Sequence, residues 1–199
     1  MKRLYIYGGG SISRETIRLI NKINLKNKTW KIEGIITKLR GFKKSIEGVK
    51  LFDEKKVKIK ANSYAICAIS DPTIKANILK KLKKSNIKIA TLVCPDIHLY
   101  KDVKLGSGSI VLSGSQIGHT TTIGKNSLIS FGVDIGHNLS IGDNFTILPN
   151  STVGGYVNIG NNVMIGSGAN ILPKLKIGNN SRIGIGSTII KNIKSNTTV

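Results

Sequence analysis

The 199-residue chain is poor in the side chains that bind metals or carry out redox chemistry. It contains three histidines and two cysteines, Cys67 and Cys94, whose spacing fits neither a zinc site nor a redox motif. Both cysteines lie in apolar stretches, which predicts buried thiols in a reducing compartment and hence a cytoplasmic protein. We therefore expect no metal.

Long apolar runs are also missing. No stretch is long enough to span a membrane, and the apolar segment at residues 4–7 is too short for a signal peptide. The sequence therefore predicts a protein without a membrane span.

Acidic residues are scarce, with 10 against 31 lysines and arginines and a net charge of +21. The first 92 residues carry most of this excess, with 23 basic and 6 acidic side chains. One interpretation is an anionic partner such as nucleic acid, a membrane surface or a phosphorylated ligand. The other is the codon usage of an AT-rich genome, since lysine outnumbers arginine 26 to 5. Aromatic residues are few and scattered, so base stacking is not indicated and we expect no nucleic-acid partner.

A repeat of six residues occupies positions 93–193. Its first position is aliphatic in all seventeen hexads, and glycine often follows. The fifth position is small or apolar, with Phe145 as the one bulky exception. A period of six is typical of a parallel β-helix, in which three hexads form one triangular coil of eighteen residues. Seventeen hexads give five and two-thirds coils, a prism roughly 27 Å tall. Glycine and asparagine should occupy the corners, where φ can be positive.

The first 92 residues instead alternate strands with helices. Strands are predicted at 3–7, 30–37, 48–52, 64–70 and 87–91, and the fourth is apolar on both faces like a buried parallel strand. An amphipathic helix follows the fourth strand. It is capped by Asp71, has Pro72 at its first position and runs to about residue 84. Its inward side chains should be Ile74, Ile78, Leu79 and Leu82. The pattern predicts a Rossmann-like α/β domain at 1–92 before an all-β domain at 93–199.

The turn Gly8-Gly9-Gly10-Ser11 leads from the first strand into the first helix. It opens a Rossmann-like unit and leaves backbone N–H groups at a helix N-terminus, where phosphate or carboxylate can bind. Ser13 occupies the place of the third glycine of the dinucleotide fingerprint, so an NAD domain is not predicted. The alternative is a tight turn that binds nothing.

The hexads at 141–146 (IGDNFT) and 159–164 (IGNNVM) resemble the hexapeptide-repeat acyltransferases. Together with the preceding half-Rossmann domain, they make the whole chain similar to sugar acetyltransferases of the sialic-acid O-acetyltransferase type. Close relatives of those enzymes N-acetylate UDP-4-amino-4,6-dideoxy sugars for bacterial glycans. The resemblance implies a left-handed parallel β-helix, although parallel crossovers in general prefer the right hand. It also implies a homotrimer that binds a nucleotide sugar on the N-terminal domain and acetyl-CoA between prisms, with the active site between subunits.

Two histidines are candidates for catalysis. His119 and His137 are eighteen residues apart and should stack on one edge, about 4.8 Å apart in height. The runs 135–143 (IGHNLSIGD) and 149–155 (PNSTVGG) resemble the family's catalytic histidine run and its next coil, which His119 lacks. The resemblance favours His137 as the general base, with His119 or no catalytic role as alternatives. His98 is expected to be a surface residue.

The expected reaction needs few groups. An acceptor amine or hydroxyl loses a proton as it attacks the thioester, and a neutral imidazole suits that task. The backbone N–H of Gly155, one coil above His137, is a candidate donor to the oxyanion. In the family an acidic residue usually follows the base. Here Asn138 can orient the ring but carries no charge, and Asp134, Asp143 or a residue of the next subunit could supply the charge instead. A less basic histidine suits an amine acceptor better than a hydroxyl.

The binding residues are predicted in two groups. The resemblance places acetyl-CoA at Thr146, Gly155, Ser167 and Ile185. The charges of Lys174 and Arg182 make them candidates for coenzyme phosphate contacts, with solvated surface as the alternative. For the nucleotide sugar the candidates are Gly8, Gly9, Gly10, Ser11, Ile12, Thr37, Lys38 and Arg40. The family commonly has an acidic pair at the end of the second strand and a histidine in the glycine turn, and both are absent here. Uridine recognition is therefore not carried over, while phosphate contact by Lys38 or Arg40 is expected.

Three functions follow from these patterns. The first is acetyl-CoA-dependent N-acetylation of a nucleotide-linked amino sugar for surface glycans, and the second is O-acetylation of sialic acid or another glycan sugar. The third, from a different class, is a β-helix scaffold without catalysis. Carbonic anhydrases of this shape need three zinc-binding histidines, and a third at suitable spacing is missing.

Overall fold

The computed structural model describes residues 1–38, 44–85 and 87–199, which form an α/β part followed by a β-helix. The α/β part contains β1 (Lys2–Tyr7), α1 (Ser11–Lys26), β2 (Trp30–Thr37), β3 (Ser45–Ile46), β4 (Val49–Asp53), β5 (Tyr64–Cys67), α2 (Pro72–Lys84) and β6 (Lys88–Ile89). These strands form one sheet in the order β3-β4-β2-β1-β5-β6. The sheet is parallel except for β3, which pairs antiparallel with β4. Within the described residues, no helix has the length and apolar character needed to cross a membrane.

The predicted strands and helices occur in the predicted order, but β3 is an additional short strand, and β5 and β6 are shorter than expected. The Asp71 side chain caps α2 by accepting hydrogen bonds from Thr73 and Ile74. The inward face of α2 differs from the prediction at one turn. Ile74 is 49% exposed, whereas Lys75 is buried with 1% exposure. Apolar periodicity misplaced this turn because the side-chain nitrogen of Lys75 has a partner on the β-helix, the carbonyl oxygen of Phe145 at 2.7 Å.

The β-helix consists of sixteen two-residue strands. They are β7 (Leu92–Val93), β8 (Lys104–Leu105), β9 (Ile110–Val111), β10 (Gln116–Ile117), β11 (Thr122–Ile123), β12 (Leu128–Ile129), β13 (Asp134–Ile135), β14 (Ser140–Ile141), β15 (Thr146–Ile147), β16 (Thr152–Val153), β17 (Asn158–Ile159), β18 (Met164–Ile165), β19 (Asn170–Ile171), β20 (Lys176–Ile177), β21 (Arg182–Ile183) and β22 (Thr188–Ile189). Each strand from β7 to β19 pairs in parallel with the strand eighteen residues on, as Ile117 pairs with Ile135. The predicted fold class, an α/β part before a parallel β-helix, is confirmed.

The strands form the three faces of the prism. Sheet I contains β7, β9, β12, β15, β18 and β21; sheet II contains β10, β13, β16, β19 and β22; sheet III contains β8, β11, β14, β17 and β20. The first-position aliphatic side chains stack inside, and Phe145 is fully buried among them. Burial of these ladders against one another is the main stabilisation of the prism.

Asparagine behaves at the corners as predicted. Asn126, Asn144, Asn162 and Asn180 have φ near +60°, and their amides form a ladder with about 2.9 Å between successive side chains. Some glycines, such as Gly114 and Gly132, also have the predicted positive φ. The glycine that often directly follows an aliphatic residue has a different role. At Gly136 φ is not positive, but an added Cβ would lie 2.8 Å from the Gly155 nitrogen on the next coil. Those glycines are needed because successive coils approach each other closely there.

Sheet I of the prism packs against the α/β part. Besides the bond from Lys75, the Thr146 hydroxyl donates to the carbonyl oxygen of Ser70 at 2.7 Å, and Arg182 pairs with Asp71 at 2.8 Å. One apolar cluster contains side chains of both parts, including Ile20 and Leu128. The division at residue 92 stays a prediction.

Candidate active site

The two candidate histidines lie at the corner of the prism between sheets II and III. His119 follows β10, His137 follows β13 one coil on, and Gly155 follows β16 at the third level. The imidazole rings of His119 and His137 are stacked, with centroids 5.1 Å apart and planes 10° from parallel. The eighteen-residue spacing therefore produces the stacked pair that the sequence predicts.

The ring of His137 is held by its neighbour in the chain. The Nδ1 atom lies 2.8 Å from the Oδ1 atom of Asn138. An amide oxygen can only accept a hydrogen bond, so Nδ1 carries the proton and Nε2 is left as a free base. Asn138 is placed for this contact by its corner conformation, with φ of +60°. The pair therefore presents a basic nitrogen on an exposed side chain.

Gly155 covers the ring of His137 from the next coil. A Cβ atom added at Gly155 would lie 3.0 Å from Nε2 and 3.1 Å from Cε1 of His137. In the described part of the chain the Gly155 N–H donates no hydrogen bond, while its carbonyl oxygen accepts one from Lys174 at 2.9 Å. Glycine thus leaves space beside the imidazole and an N–H group next to the base.

Tyr156 completes the surroundings of His137. Its ring meets the imidazole edge to face, with centroids 5.2 Å apart at 83°. The residue has φ of +61°, an uncommon conformation for a bulky side chain. Sequence reasoning missed Tyr156, although its position one coil above Asn138 was a signal.

The close approach at Gly155 leads to a prediction. In Gly155→Ala the φ of residue 155 remains allowed, but the methyl group must displace the imidazole of His137. A shift of this size should lower the kcat of acetyl transfer on the order of 10²-fold, with little change in the urea midpoint of unfolding. Steady-state kinetics of the purified variant measures this, and a kcat equal to that of the wild type would show that the ring position is unimportant.

His119 has a more extended set of partners than His137. Its Nδ1 atom lies 3.1 Å from the Thr120 hydroxyl, which donates to Asp102 Oδ2 at 2.9 Å. The Thr120 N–H donates to the same carboxylate oxygen at 2.9 Å. The hydrogen bond from the Thr120 side chain lowers the pKa of Asp102, the largest of several causes. Sequence reasoning missed Asp102 and Thr120, although they too are eighteen residues apart.

A cleft of about 420 Å³ opens beside the two histidines. His98 is exposed, as predicted, but it also lines this cleft with His119 and His137. Asp96 and Asp134 contribute carboxylates to the lining. These carboxylates allow the cleft, which is also lined by isoleucine side chains, to accept a small cationic group beside the two histidines. No group of three or more histidine, cysteine, aspartate or glutamate side chains suited to a metal ion occurs in the ranges that the structure describes.

A second cavity, of about 860 Å³, lies at the carboxyl ends of β1 and β2. It is lined by five residues of the predicted nucleotide-sugar group: Gly8, Gly9, Gly10, Thr37 and Lys38. Ser11 is exposed at the start of α1, and Ile12 packs against the core of the α/β part. The predicted residue Arg40 lies outside the described residues. No side chain caps α1. The Ser13 N–H donates to the carbonyl oxygen of Gly10 at 3.2 Å, while the N–H groups of Ser11 and Ile12 have no acceptor among the described residues.

The same cavity contains polar residues that sequence reasoning missed. They are Glu54, Asn77, Lys80 and Lys81. Glu54 accepts a hydrogen bond from Lys81 at 2.6 Å, and its backbone N–H donates to the carbonyl oxygen of Thr37 at 3.0 Å. Burial, followed by the charge of Glu54, raises the pKa of Tyr7 on the cavity wall. The carboxylate of Glu54 thus lies beside the end of β2, but it belongs to the residue that follows the neighbouring strand β4.

The predicted coenzyme residues do not come together within one chain. Thr146 is fully buried and bonded to Ser70, and Arg182 is paired with Asp71, so both serve the contact of sheet I with the α/β part. Lys174 lies one coil beyond Gly155, at the same corner as the two histidines. Ser167 and Ile185 lie one coil apart at the corner between sheets I and II, where Ile185 is 81% exposed. These assignments to the coenzyme stay predictions, and the burial of Thr146 argues against its side chain.

The chain has recognisable sequence similarity to one family of known proteins. Residues 156–191 match the family model described as bacterial transferase hexapeptide (six repeats). No curated protein shows significant sequence similarity to the chain.

Several solved structures share the whole fold. A variant of perosamine N-acetyltransferase from Caulobacter crescentus, in complex with CoA and GDP-perosamine, is 20% identical with a TM-score of 0.86, covering 100% of this chain and 93% of that one. The acetyltransferase domain of PglB from Neisseria gonorrhoeae, in complex with acetyl coenzyme A, is 17% identical with a TM-score of 0.87, covering 100% and 95%. WeeI from Acinetobacter baumannii is 20% identical with a TM-score of 0.89, covering 100% and 96%. The left-handed β-helix is thereby confirmed, and so is the resemblance of this chain to the hexapeptide-repeat sugar acetyltransferases.

Proposed function

We propose that this protein transfers the acetyl group of acetyl-CoA to the amino group of a nucleotide-linked sugar, with His137 as the general base. One observation carries the proposal: the imidazole of His137 is fixed with a free Nε2, next to the Gly155 N–H, at an open corner of the prism. A base and an oxyanion donor side by side are what acyl transfer to an amine requires.

The residues have distinct roles in this reaction. Asn138 holds the imidazole in the tautomer that accepts a proton at Nε2. As the amine attacks the thioester carbonyl carbon, His137 accepts the proton that the nitrogen loses, and the Gly155 N–H stabilises the oxyanion. When the C–S bond breaks, the same proton passes to the departing thiolate of coenzyme A. No covalent acyl-enzyme is needed.

The nucleotide sugar is proposed to bind in the cavity at the glycine turn. The uncapped N-terminus of α1 and the ammonium groups of Lys38, Lys80 and Lys81 favour a diphosphate. Glu54 and Asn77 are the polar groups available to recognise a base or sugar hydroxyls. Solved neighbours with CoA and GDP-perosamine or with acetyl coenzyme A support this class of substrates.

A homotrimer with shared sites would explain the separation of the two cavities. The glycine cavity and the histidine cleft have no lining residue in common within the described chain. We propose that a sugar held by one subunit reaches His137 of another, and that the coenzyme lies between prisms near Lys174. We further propose that the enzyme works in the cytoplasm, supported by the buried free thiols of Cys67 and Cys94.

The test is release of coenzyme A thiol from acetyl-CoA with a panel of acceptors. The panel contains GDP-, dTDP- and UDP-linked amino sugars, free and CMP-linked sialic acid, and the matching hydroxy sugars. Turnover with a nucleotide-linked amino sugar is the expected result. Turnover with sialic acid alone would favour O-acetylation, and none with any acceptor would favour a scaffold.

A further inference from the structure

We propose that His119 is a second proton acceptor, which removes the first proton from the protonated amine before His137 removes the second. This inference rests on the proposed function. It is carried by the hydrogen bonds that link the side chains of Asp102, Thr120 and His119, and by the stacking of His119 on His137.

The hydrogen bonds assign the tautomer of His119. The single hydroxyl proton of Thr120 is donated to Asp102, so the Thr120 oxygen can only accept from His119. The Nδ1 atom of His119 therefore carries its proton, and its Nε2 is free, as in His137. Two parallel imidazoles, 5.1 Å apart and with the same tautomer, line one cleft.

Stacked rings cannot pass a proton directly to each other, because the nitrogen lone pairs lie in the ring planes. Each imidazole must therefore act on a molecule in the cleft. The Asp102 carboxylate, through Thr120, stabilises positive charge on His119. His137 has only the neutral Asn138 behind it. The two rings thus differ in what lies behind them, a carboxylate reached through Thr120 for His119 and a neutral amide for His137.

The chemistry of an amine acceptor requires two proton losses. A sugar amine near neutral pH is largely an ammonium ion, and an ammonium nitrogen has no lone pair for attack. His119 accepts the first proton and gives a neutral amine, and His119, being exposed, later releases that proton to solvent. The amine then forms the C–N bond with the thioester carbonyl, His137 takes the second proton, and the C–S bond breaks. That second proton leaves on the coenzyme A thiol, so the products are the amide, coenzyme A and one proton in solution.

The other charged groups of the cleft fit an incoming cation. Asp96 and Asp134 line it with carboxylates, and Asp96 is paired with Lys22 of α1. Besides His119 and His137, the remaining titratable side chains of the lining are His98 and Tyr100. A hydroxyl acceptor would bring one proton and need only one of the two bases.

The test is the pH dependence of kcat/KM for the amino sugar between about pH 6 and pH 9.5. In His119→Gln we expect the largest loss, roughly 10²-fold, near pH 7.5, where an imidazole is neutral and a sugar amine is still largely protonated. The loss should shrink to about threefold near pH 9, where the amine is already neutral. Asp102→Asn keeps the Thr120 contact and should give the same pH-dependent pattern at about tenfold. Lys104→Gln, on the exposed face of β8 and outside the lining of the cleft, should keep the wild-type profile.

A loss in His119→Gln that is uniform across this pH range would contradict the proposal and leave His119 a merely structural role. A wild-type profile in both His119→Gln and Asp102→Asn would also contradict it. Absence of turnover by the wild type with every amine acceptor would instead overturn the proposed function, and this inference with it.

Discussion

His137→Ala is expected to lower the kcat of acetyl transfer by about 10³-fold, because the variant has no group at Nε2 to take the proton of the attacking amine. The side chain is exposed, so the free energy of unfolding should change by less than about 0.5 kcal/mol. Thiol release from acetyl-CoA with the best acceptor measures the first effect, and urea denaturation the second.

Two further experiments distinguish a role of His137 as the general base from a purely structural role. The alanine variant leaves a space between His119 and Gly155, so added imidazole should restore part of kcat. His98→Ala is the matched control, since His98 lines the same cleft without contacting Gly155, and it should retain nearly all turnover. Full activity of His137→Ala would move the base to His119 or another group.

The β-helix could be predicted almost completely from the sequence. A hexad repeat without insertions determines which side chains face inward and which residues meet one coil apart, so the stacking of His119 on His137 follows from counting to eighteen. The same count would have found Thr120 above Asp102 and Tyr156 above Asn138. These pairs were missed because the count of eighteen was applied only to the row of His119, His137 and Gly155.

The α/β part was less predictable, because its cavity collects residues from separate elements. Glu54 follows β4 and reaches the end of β2, a contact that depends on the sheet order and not on local sequence. Periodicity also placed Ile74 inward and gave no sign that Lys75 is buried. Those positions are decided by contacts with the prism, which no pattern within α2 contains.

The burial of Lys75 lowers the free energy of unfolding by an amount that depends on pH. Desolvation lowers the pKa of this lysine from 10.5 to about 7, against the smaller opposing effects of Cys67 and Asp71. As the pH falls below about 10.5, the unfolded chain takes up a proton that the folded protein does not. Stability should therefore decrease by about 1.4 kcal/mol per pH unit until the folded lysine also protonates near pH 7.

We expect Lys75→Met to remove this pH-dependent loss of stability. Methionine fills the site without a charge, but it leaves the carbonyl oxygen of Phe145 unsatisfied, which costs about 1–3 kcal/mol. At pH 7 the removed desolvation cost is larger, so the variant should be more stable than the wild type by about 2 kcal/mol. At pH 10 the lost hydrogen bond dominates, and the variant should be less stable by about 1 kcal/mol. Urea unfolding at both pH values measures the difference, with the exposed Lys83→Met on the same helix as the control. Equal stability differences at pH 7 and pH 10 would mean that Lys75 keeps its proton in the interface, and that the ammonium group holds α2 to the prism as a charge.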